Sequence, residues 1–316
     1  MKDLVLFGDC KQTLSAFIDK AQMCVTSPPY YGLRDYGGED NQIGQEESPE
    51  EYIQNLVEVF REVRNLLTED GTLWLNIGDS YYNYRPGKGQ GLVKQTVSKT
   101  KQDLPDKCAR RGNKLDGLKE KDLIGIPWML AFALRADGWY LRQDIIWHKP
   151  NPMPESVKDR CTKSHEYIFL LSKNKKYYYD NESIKEPAKD WGTRDRTNGK
   201  YHNKGTGLQP HSGLTKSYRT KNKRSVWSIT NKPYKGAHFA VFPPDLIIPC
   251  ITAGSNKGDI VLDPFMGSGT TAMVARDLGR NYYGCELLES YGDLIQERVP
   301  VEEVLHNPLI DAFDDV

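Results

Sequence analysis

The sequence of 316 residues has no apolar run long enough to cross a bilayer and no closely spaced pair of cysteines. Its six cysteines are scattered and lack the Cys-x-x-Cys spacing of zinc sites and redox motifs, so we expect reduced, structural thiols and no metal site. The first residues read as a strand, without the basic, apolar and small-residue zones of a signal peptide. These absences predict a cytoplasmic location and no membrane segment.

The net charge is zero, but the charges are unevenly distributed. Residues 85–121 hold 11 Lys/Arg against 4 Asp/Glu, and residues 149–235 hold 20 against 8. These segments therefore carry about +7 and +12, and the rest of the chain carries −19. A basic surface on an acidic body is typical of a protein that faces phosphates. Solvated loops that happen to be basic are the alternative.

Short apolar runs alternate with segments of helical periodicity along most of the chain. Strands are predicted at Leu4–Phe7, Met23–Thr26, Thr72–Ile77, Trp139–Trp147, Glu166–Leu171, Asp259–Leu262 and Tyr282–Cys285. One helix is predicted to begin at a Ser48 capping box and to end at Asp70-Gly71, and others at Pro127–Ala136, Pro244–Ala253 and Thr270–Leu278. This alternation predicts an α/β fold with a doubly wound, mostly parallel sheet.

Two segments depart from this pattern. Residues 83–121 are rich in lysine, glycine and glutamine and have little apolar periodicity, which predicts a mobile basic loop. Residues 185–236 are polar and basic with spaced aromatic residues and histidines, which predicts a small irregular subdomain.

A glycine-rich turn, Asp263-Pro-Phe-Met-Gly-Ser-Gly-Thr270, follows a predicted strand. Its glycines let a ligand approach the backbone, and the helix behind it offers unpaired N–H groups. A phosphate loop is disfavoured because no lysine follows the glycines, and the dinucleotide fingerprint is incomplete. The next strand ends at Glu286, which is placed to accept hydrogen bonds from ribose hydroxyls. Taken alone, Glu286 could equally be an exposed carboxylate at a strand end.

The tetrapeptide Ser27-Pro28-Pro29-Tyr30 ends another apolar strand, and open α/β sheets bind ligands at the carboxyl ends of their strands. The two prolines fix the backbone, and Tyr30 offers an aromatic face. By themselves these residues could equally form a proline-rich turn. We interpret them as part of a site because a buried strand precedes them and because the glycine turn is also present.

Together, these two motifs resemble the signatures of S-adenosylmethionine-dependent DNA amino-methyltransferases of the β class, in which the catalytic motif precedes the cofactor motif. The resemblance implies a Rossmann-like domain, S-adenosyl-L-methionine as cofactor and double-stranded DNA as substrate. Asp9 is similar to the acidic residue that faces the adenine in that class. The implied cofactor contacts are Asp9, His238, Phe242, Pro243, Asp263, Pro264, Phe265, Gly267, Ser268, Gly269, Thr270 and Glu286.

The resemblance also implies a chemical role for the tetrapeptide. The exocyclic amine of a base is a poor nucleophile because its lone pair is delocalised into the ring. If the Ser27 hydroxyl and the Pro28 carbonyl accept its two hydrogens, the lone pair is localised toward the methyl group to be transferred. Pro29 helps to fix that carbonyl, and Tyr30 offers a face for the base. The target base must leave the duplex stack to reach these four catalytic residues.

In the β class, the target-recognition region lies between the two halves of the catalytic domain. We therefore expect residues 1–149 and 237–316 to form these halves and residues 150–236, with their basic excess, to contact DNA. Candidate residues of the base pocket or the DNA interface are Trp147, His148, Lys149, Arg194, Arg196, Arg219, Lys221, Lys223 and Arg224. A core tryptophan and a surface histidine are the alternative for Trp147 and His148. Most of the basic residues would contact phosphates.

Family members with serine at the first tetrapeptide position tend to methylate cytosine N4, whereas aspartate or asparagine accompanies adenine N6, so Ser27 favours cytosine N4. Cys250 lies within an apolar run before the glycine turn, which indicates a core cysteine and not a nucleophile for carbon-5 methylation. A catalytically silent DNA-binding module and an RNA or protein methyltransferase are the alternatives. We expect a monomer or homodimer, either solitary or paired with a restriction endonuclease.

Overall fold

The computed structural model describes residues 2–33, 42–82, 117–188, 219–231 and 242–299. The strands among them are β1 (Leu4–Phe7), β2 (Ala21–Thr26), β3 (Leu67–Ile77), β4 (Tyr140–His148), β5 (His165–Ser172), β6 (Glu186–Pro187), β7 (Thr220–Lys221), β8 (Val226–Ser228), β9 (Ile260–Asp263) and β10 (Asn281–Glu286). The α-helices are α1 (Cys10–Thr13), α2 (Pro49–Leu66), α3 (Ile126–Ala136), α4 (Pro244–Gly254), α5 (Thr270–Asp277) and α6 (Gly292–Arg298). Among the described residues, short 3-10 helices cover Leu14–Ala16 and Glu289–Tyr291.

Eight strands form one sheet in the order β1-β10-β9-β2-β3-β5-β4-β8. The first five strands in this order, β1, β10, β9, β2 and β3, are parallel to one another. β5 runs antiparallel to both of its neighbours, β3 and β4, and β8 is parallel to β4. The predicted α/β fold with a doubly wound, mostly parallel sheet is confirmed.

The sheet is covered on both faces by hydrophobic cores. Leu73 and Leu75 of β3 pack with Phe60 of α2 on one face, whereas Trp74 packs with Ile251 of α4 on the other. This alternation follows from the two-residue period of a strand. The helices α1, α2 and α3 contribute to the first core, and α4 and α5 contribute to the second. Burial on both faces explains the nearly continuous apolar runs of these strands.

The direction of winding reverses between β2 and β9, which are neighbours at the centre of the sheet. Met23 is in register with Val261, and Cys24 with Leu262. From β2 the chain continues to β3 on one side, and from β9 it continues to β10 on the other. Loops that diverge from such a point leave a crevice at the carboxyl ends of the strands, where open α/β sheets bind ligands. The tetrapeptide and the glycine turn both begin at this crevice.

One predicted helix boundary is wrong. α2 begins after the Ser48 cap as expected, but it ends at Leu66, and β3 begins at the next residue instead of after Asp70-Gly71. Leu67 is extended (φ −70°, ψ 151°), so the chain leaves the helix directly into the sheet. A Cβ on Gly71 would lie 2.9 Å from the Leu67 Cβ, so any larger residue would clash with Leu67 at this position of β3.

The predicted recognition region, residues 150–236, contributes strands to the main sheet. β5 lies between β3 and β4, and β8 extends the sheet beside β4. β6 and β7 pair in a separate two-stranded sheet, so the described parts of the predicted irregular subdomain contain three short strands. Most of the predicted basic loop, residues 83–116, lies outside the described residues. Among the helices that the structure describes, none combines the length and the apolar character needed to span a membrane.

Candidate active site

The buried carboxylate of Asp263 links β9, which precedes the glycine turn, to β2, which precedes the tetrapeptide. Thr26 Oγ1 donates to Asp263 Oδ1 at 2.6 Å, and Thr271 Oγ1 donates to Oδ2 at 2.6 Å. The Phe265 amide also donates to Oδ1 at 3.0 Å. Asp263 is 1% exposed, and burial raises its pKa to about 6 against the opposing effect of these donors. Its hydrogen bonds to protein groups make Asp263 a brace between the two halves of the chain.

The glycine turn has the backbone conformation that its sequence requires. Gly267 (φ 55°) and Gly269 (φ 81°) occupy the left-handed region, where a side chain is strained. Gly269 is the N-cap of α5, and no side chain caps this helix end. Ser268 between them is 1% exposed, and its hydroxyl has no hydrogen-bond partner among the described residues. An unsatisfied buried hydroxyl beside free helix amides indicates a place for a polar ligand.

Glu286 braces the same turn from the end of β10. Its Oε2 accepts from the Gly267 amide at 2.7 Å, and its Oε1 accepts from the Leu288 amide at 3.0 Å. The residue is 8% exposed, and burial raises its pKa to about 7, although both amides act to lower it. The carboxylate therefore changes its charge near neutral pH while holding the backbone of the turn.

Asp9 lies beside Glu286 because β1 and β10 are neighbours. The Gly8 amide donates to the Glu286 carbonyl at 2.9 Å, and Asp9 follows as the N-cap of α1. Asp9 Oδ1 accepts from the Lys11 amide at 2.9 Å. The structure thus brings Asp9, Glu286 and the glycine turn to one edge of the sheet. Pro264, Phe265 and Thr270 lie within the turn or start α5, Pro243 caps α4, and Phe242 packs against the second core.

The tetrapeptide follows β2 and is held by contacts on several sides. Tyr52 Oη donates to the Pro29 carbonyl at 2.8 Å, so α2 fixes the backbone of the loop. A Cβ on Gly78 would lie 2.7 Å from Tyr30 Cε2, so the Tyr30 ring lies directly against the backbone after β3. Pro28 is buried, whereas Ser27 and Tyr30 are partly exposed. The loop is therefore rigid where the predicted catalytic groups lie.

A polar network that sequence reasoning missed surrounds the Tyr30 hydroxyl. Tyr30 Oη donates to Glu166 Oε2 at 2.8 Å, and Asn76 Oδ1 lies 3.4 Å from the same hydroxyl. Burial raises the pKa of Tyr30, and the negative charge of Glu166 adds to this effect. A hydrogen bond from Ser27 acts in the opposite direction. The only sequence signal for Glu166 was an acidic residue at the start of a buried strand.

The predicted base-pocket residues have different environments. Trp147 is 3% exposed in the second core, and its Nε1 donates to the Ile229 carbonyl at 2.9 Å, so the core alternative holds for this ring. His148 Nδ1 lies 3.0 Å from Ser228 Oγ at the surface. Lys149 forms an ion pair with Glu166, and its Nζ lies 4.2 Å from the centre of the Trp147 ring. Lys149 is thus the member of the three that is linked to the tetrapeptide, through Glu166 and its hydrogen bond to Tyr30.

The basic residues predicted to contact DNA differ in whether an acidic residue lies beside them. Lys221 and Lys223 share the carboxylate of Glu186 at 3.8 and 3.5 Å, whereas Arg219 and Arg224 are exposed. His238, Arg194 and Arg196 lie outside the described residues.

Cys250 is a core cysteine, as its sequence context indicated. It lies in α4 with 1% exposure, and burial raises the pKa of its thiol far above the usual range. Its Sγ contacts the Leu246 carbonyl at 3.5 Å within the same helix. Such a thiol is not poised as a nucleophile.

Comparison with known proteins identifies relatives over nearly the whole chain. Residues 21–297 match the family described as DNA methylase, of the N6/N4 methyltransferase type. The type II methyltransferase M.SmaI of Serratia marcescens is 48% identical over 301 residues, which cover 93% of this chain and 90% of M.SmaI. Two solved structures share the fold. PvuII DNA methyltransferase (cytosine-N4-specific) has a TM-score of 0.61 at 16% identity, covering 99% of this chain and 92% of that one. TTHA0409, a putative DNA modification methylase of Thermus thermophilus complexed with S-adenosyl-L-methionine, has a TM-score of 0.58 at 24% identity, covering 96% and 98%.

Proposed function

Because the chain belongs to the N6/N4 DNA methylase family, we propose that it transfers the methyl group of S-adenosyl-L-methionine to the exocyclic amine of a flipped base in double-stranded DNA. Membership confirms the resemblance that the two motifs predicted and establishes a DNA methyltransferase. The observation that carries the finer proposal is the joining of both motifs at one crevice by the Thr26–Asp263 hydrogen bond of 2.6 Å.

The residues of the glycine turn fit the proposed cofactor. The buried Ser268 hydroxyl has no partner among the described residues, and the start of α5 offers uncapped amides. Glu286 can accept hydrogen bonds from ribose hydroxyls through lone pairs that its two backbone contacts leave over. Asp9 follows the neighbouring strand β1 as the N-cap of α1, where an adenine amino group would find an acceptor. When bound, S-adenosyl-L-methionine supplies a methyl group made electrophilic by its positively charged sulfur.

The tetrapeptide fits the proposed base. The Ser27 hydroxyl and the Pro28 carbonyl would accept the two amine hydrogens, and the Tyr30 ring would stack on the base. The phenol of Tyr30 is neutral at physiological pH, as an ordinary tyrosine is, and burial raises its pKa further, so no phenolate repels these electron-rich groups. After the transfer the amine carries an extra proton, which it would release to water. A base inside a duplex cannot reach this crevice, so it must flip out of the stack.

We propose cytosine N4 as the target atom, on the basis of Ser27 at the first tetrapeptide position. Adenine N6 methylation by the same residues is the second candidate, because both atoms are exocyclic amines that need the same two acceptors. The exposed Arg219 and Arg224, together with the basic excess of residues 149–235, support duplex DNA as the polymer. M.SmaI is named as a type II methyltransferase, which supports a restriction–modification setting with a cognate endonuclease as partner.

Mass analysis of nucleosides tests this proposal. Duplex DNA of mixed sequence is incubated with the protein and S-adenosyl-L-methionine carrying a deuterated methyl group, and the DNA is then digested to nucleosides. We expect deuterated N4-methyldeoxycytidine. Deuterated N6-methyldeoxyadenosine would keep the reaction but reject cytosine as the target. Label that appears in RNA or protein and not in DNA, or in no polymer, would reject the proposal.

A further inference from the structure

An ion pair with little exposure to solvent lies beside the tetrapeptide. Glu166 Oε1 pairs with Lys149 Nζ, and the two side chains are 15% and 17% exposed. Withdrawing two charges from water is costly, and an apolar pair of similar size often stabilises a fold equally well. Stability alone therefore does not account for an ion pair at this place.

The second oxygen of Glu166 connects the pair to the predicted catalytic loop. Oε2 accepts from Tyr30 Oη at 2.8 Å and from Asn76 Nδ2 at 3.3 Å. Asn76 Nδ2 is also within 3.1 Å of the Tyr167 carbonyl, which fixes the orientation of this amide. Both oxygens of the carboxylate are thus engaged, one by a cation and one by the hydroxyl of Tyr30. A carboxylate held in this way cannot turn without breaking several hydrogen bonds.

The antiparallel direction of β5 explains how Glu166 reaches a loop 136 residues earlier in the chain. Tyr167 is in register with Ile77 at the carboxyl end of β3, and Glu166 with Trp147 near the end of β4. The start of β5 therefore lies at the edge where β2, β3 and β4 end. Lys149 follows β4 directly, and its Nζ lies 4.2 Å from the centre of the Trp147 ring. Both members of the pair project from the ends of ordered strands, which gives a precise support.

Two contacts define the plane of the Tyr30 ring. The ring lies against Gly78, where a Cβ would approach Cε2 to 2.7 Å, and its hydroxyl is bound to Glu166. The Ser27 side chain in turn hydrogen-bonds to Tyr30. A shift of the phenol would therefore move both the face that the base would meet and the hydroxyl that would accept an amine hydrogen.

We propose that Glu166, held in place by Lys149, is a positioning residue that fixes the Tyr30 hydroxyl and, through it, the ring plane of Tyr30 and the orientation of Ser27. The inference rests on the proposed function, in which Ser27 and Tyr30 face the flipped base. Glu166 acts through Tyr30 and does not contact the base. Misplacement of reacting groups by about 1 Å can slow an enzyme by on the order of 100-fold, so loss of this support should appear in the rate of transfer.

Four variants in one background test the proposal without leaving a buried charge unpaired. The first pair combines Lys149→Met with either Glu166→Gln, which keeps an acceptor oxygen for Tyr30, or Glu166→Leu, which does not. The second pair adds Tyr30→Phe to each. Single-turnover methylation is measured at saturating DNA, the cofactor Kd by calorimetry, and folding by urea titration. Asp137→Asn, which removes an ion pair with Arg61 at the C-terminal end of α3, serves as the control.

With Tyr30 present, we expect the Glu166→Gln variant to react at least 10-fold faster than the Glu166→Leu variant, with cofactor Kd values within twofold of each other. Once Tyr30→Phe is added, the two rates should agree within twofold, because the hydroxyl that Glu166 holds is gone. The same rate ratio in both pairs, or equal rates with Tyr30 present, would overturn the proposal.

A spectroscopic readout separates this inference from the proposed function. The Cζ of tyrosine is labelled with carbon-13, and the Tyr30 signal is assigned by its disappearance in Tyr30→Phe. In the cofactor-free protein, Glu166→Leu with Lys149→Met should move this signal, whereas Asp137→Asn should not. An unmoved signal would show that Glu166 does not hold Tyr30. If the native protein methylates no DNA at all, the proposed function fails, while the NMR result still decides the contact.

Discussion

The charge of Glu286 should make the stability of the cofactor turn depend on pH. Burial raises the pKa of this carboxyl from 4.5 to about 7, even though the Gly267 and Leu288 amides stabilise the charged form. Glu286→Gln keeps the size of the side chain and removes its titration. The glutamine side chain can still accept a hydrogen bond from one of the two backbone amides but presents its NH₂ group to the other amide. The lost hydrogen bond lowers the free energy of unfolding by an amount that does not depend on pH.

The sign and size of the effect follow from the two pKa values. Below about pH 4.5 the carboxyl is neutral in both states, and its contribution to folding is fully present. As pH rises toward about 7, the unfolded state loses the proton first, so stability is lost through this window and then levels off. At about 1.4 kcal/mol per pH unit, a rise from 4.5 to about 7 corresponds to about 3 kcal/mol.

Urea unfolding of the cofactor-free protein checks this expectation. We expect the free energy of unfolding of Glu286→Gln, relative to the native protein, to rise by about 3 kcal/mol between pH 4.5 and pH 8. Asp263 is present in both proteins, so only its coulombic coupling to Glu286 remains in the difference. Glu297→Gln, at an exposed position of α6, is the control and should show no such trend. A difference that stays constant from pH 4.5 to pH 8 would refute the reasoning.

Three further expectations concern ligands. Gly267→Val should weaken S-adenosyl-L-methionine binding by roughly 10-fold or more in calorimetry, because φ is 55° and the ligand must approach the backbone. The control, Gly258→Val, is also at positive φ (84°) but lies in the turn before β9 and should bind the cofactor normally. An equal loss of affinity in both variants would contradict the assignment of the glycine turn. Cofactor affinity should fall as pH drops below about 7, because protonated Glu286 accepts ribose hydroxyls poorly, and the same profile in Glu286→Gln would contradict this role. In DNA-binding titrations, Arg224→Gln should reduce the slope of log affinity against log salt by about 1. Lys223→Gln should reduce this slope less, because Glu186, 3.5 Å away, already offsets the charge of Lys223. Equal slopes in the native protein and both variants would remove Arg224 from the interface.

The parts of the site that could be predicted are contiguous motifs. The glycine turn and the tetrapeptide each hold a strand end, a special backbone and reactive groups within a few residues, so local rules were sufficient to find them. Their approach to each other followed from the rule that ligands bind at the carboxyl ends of parallel strands. The bond between Thr26 and Asp263 could not be foreseen in detail, because it depends on the register of strands that lie far apart in the sequence.

The missed parts depend on strand direction and on very short elements. Glu166 could be placed at the tetrapeptide only with knowledge that β5 runs antiparallel, and periodicity does not report direction. β6, β7 and β8 have two or three residues each, too few for a periodic signal, so their segment looked irregular. Trp147 lies at the end of a predicted strand, and the sequence does not tell on which face of the sheet its side chain lies. The packed structure shows its ring in the second core.

The measurement that tests the site most directly compares the native protein with Ser27→Ala in single-turnover transfer from S-adenosyl-L-methionine to duplex DNA, with cofactor Kd measured for both. We expect the native protein to methylate a base amine, and Ser27→Ala to bind the cofactor with native affinity but react on the order of 100-fold more slowly, since a group placed to act in the transition state contributes about this much. Equal rates for the two proteins would contradict the assignment of the Ser27–Tyr30 loop as the catalytic site.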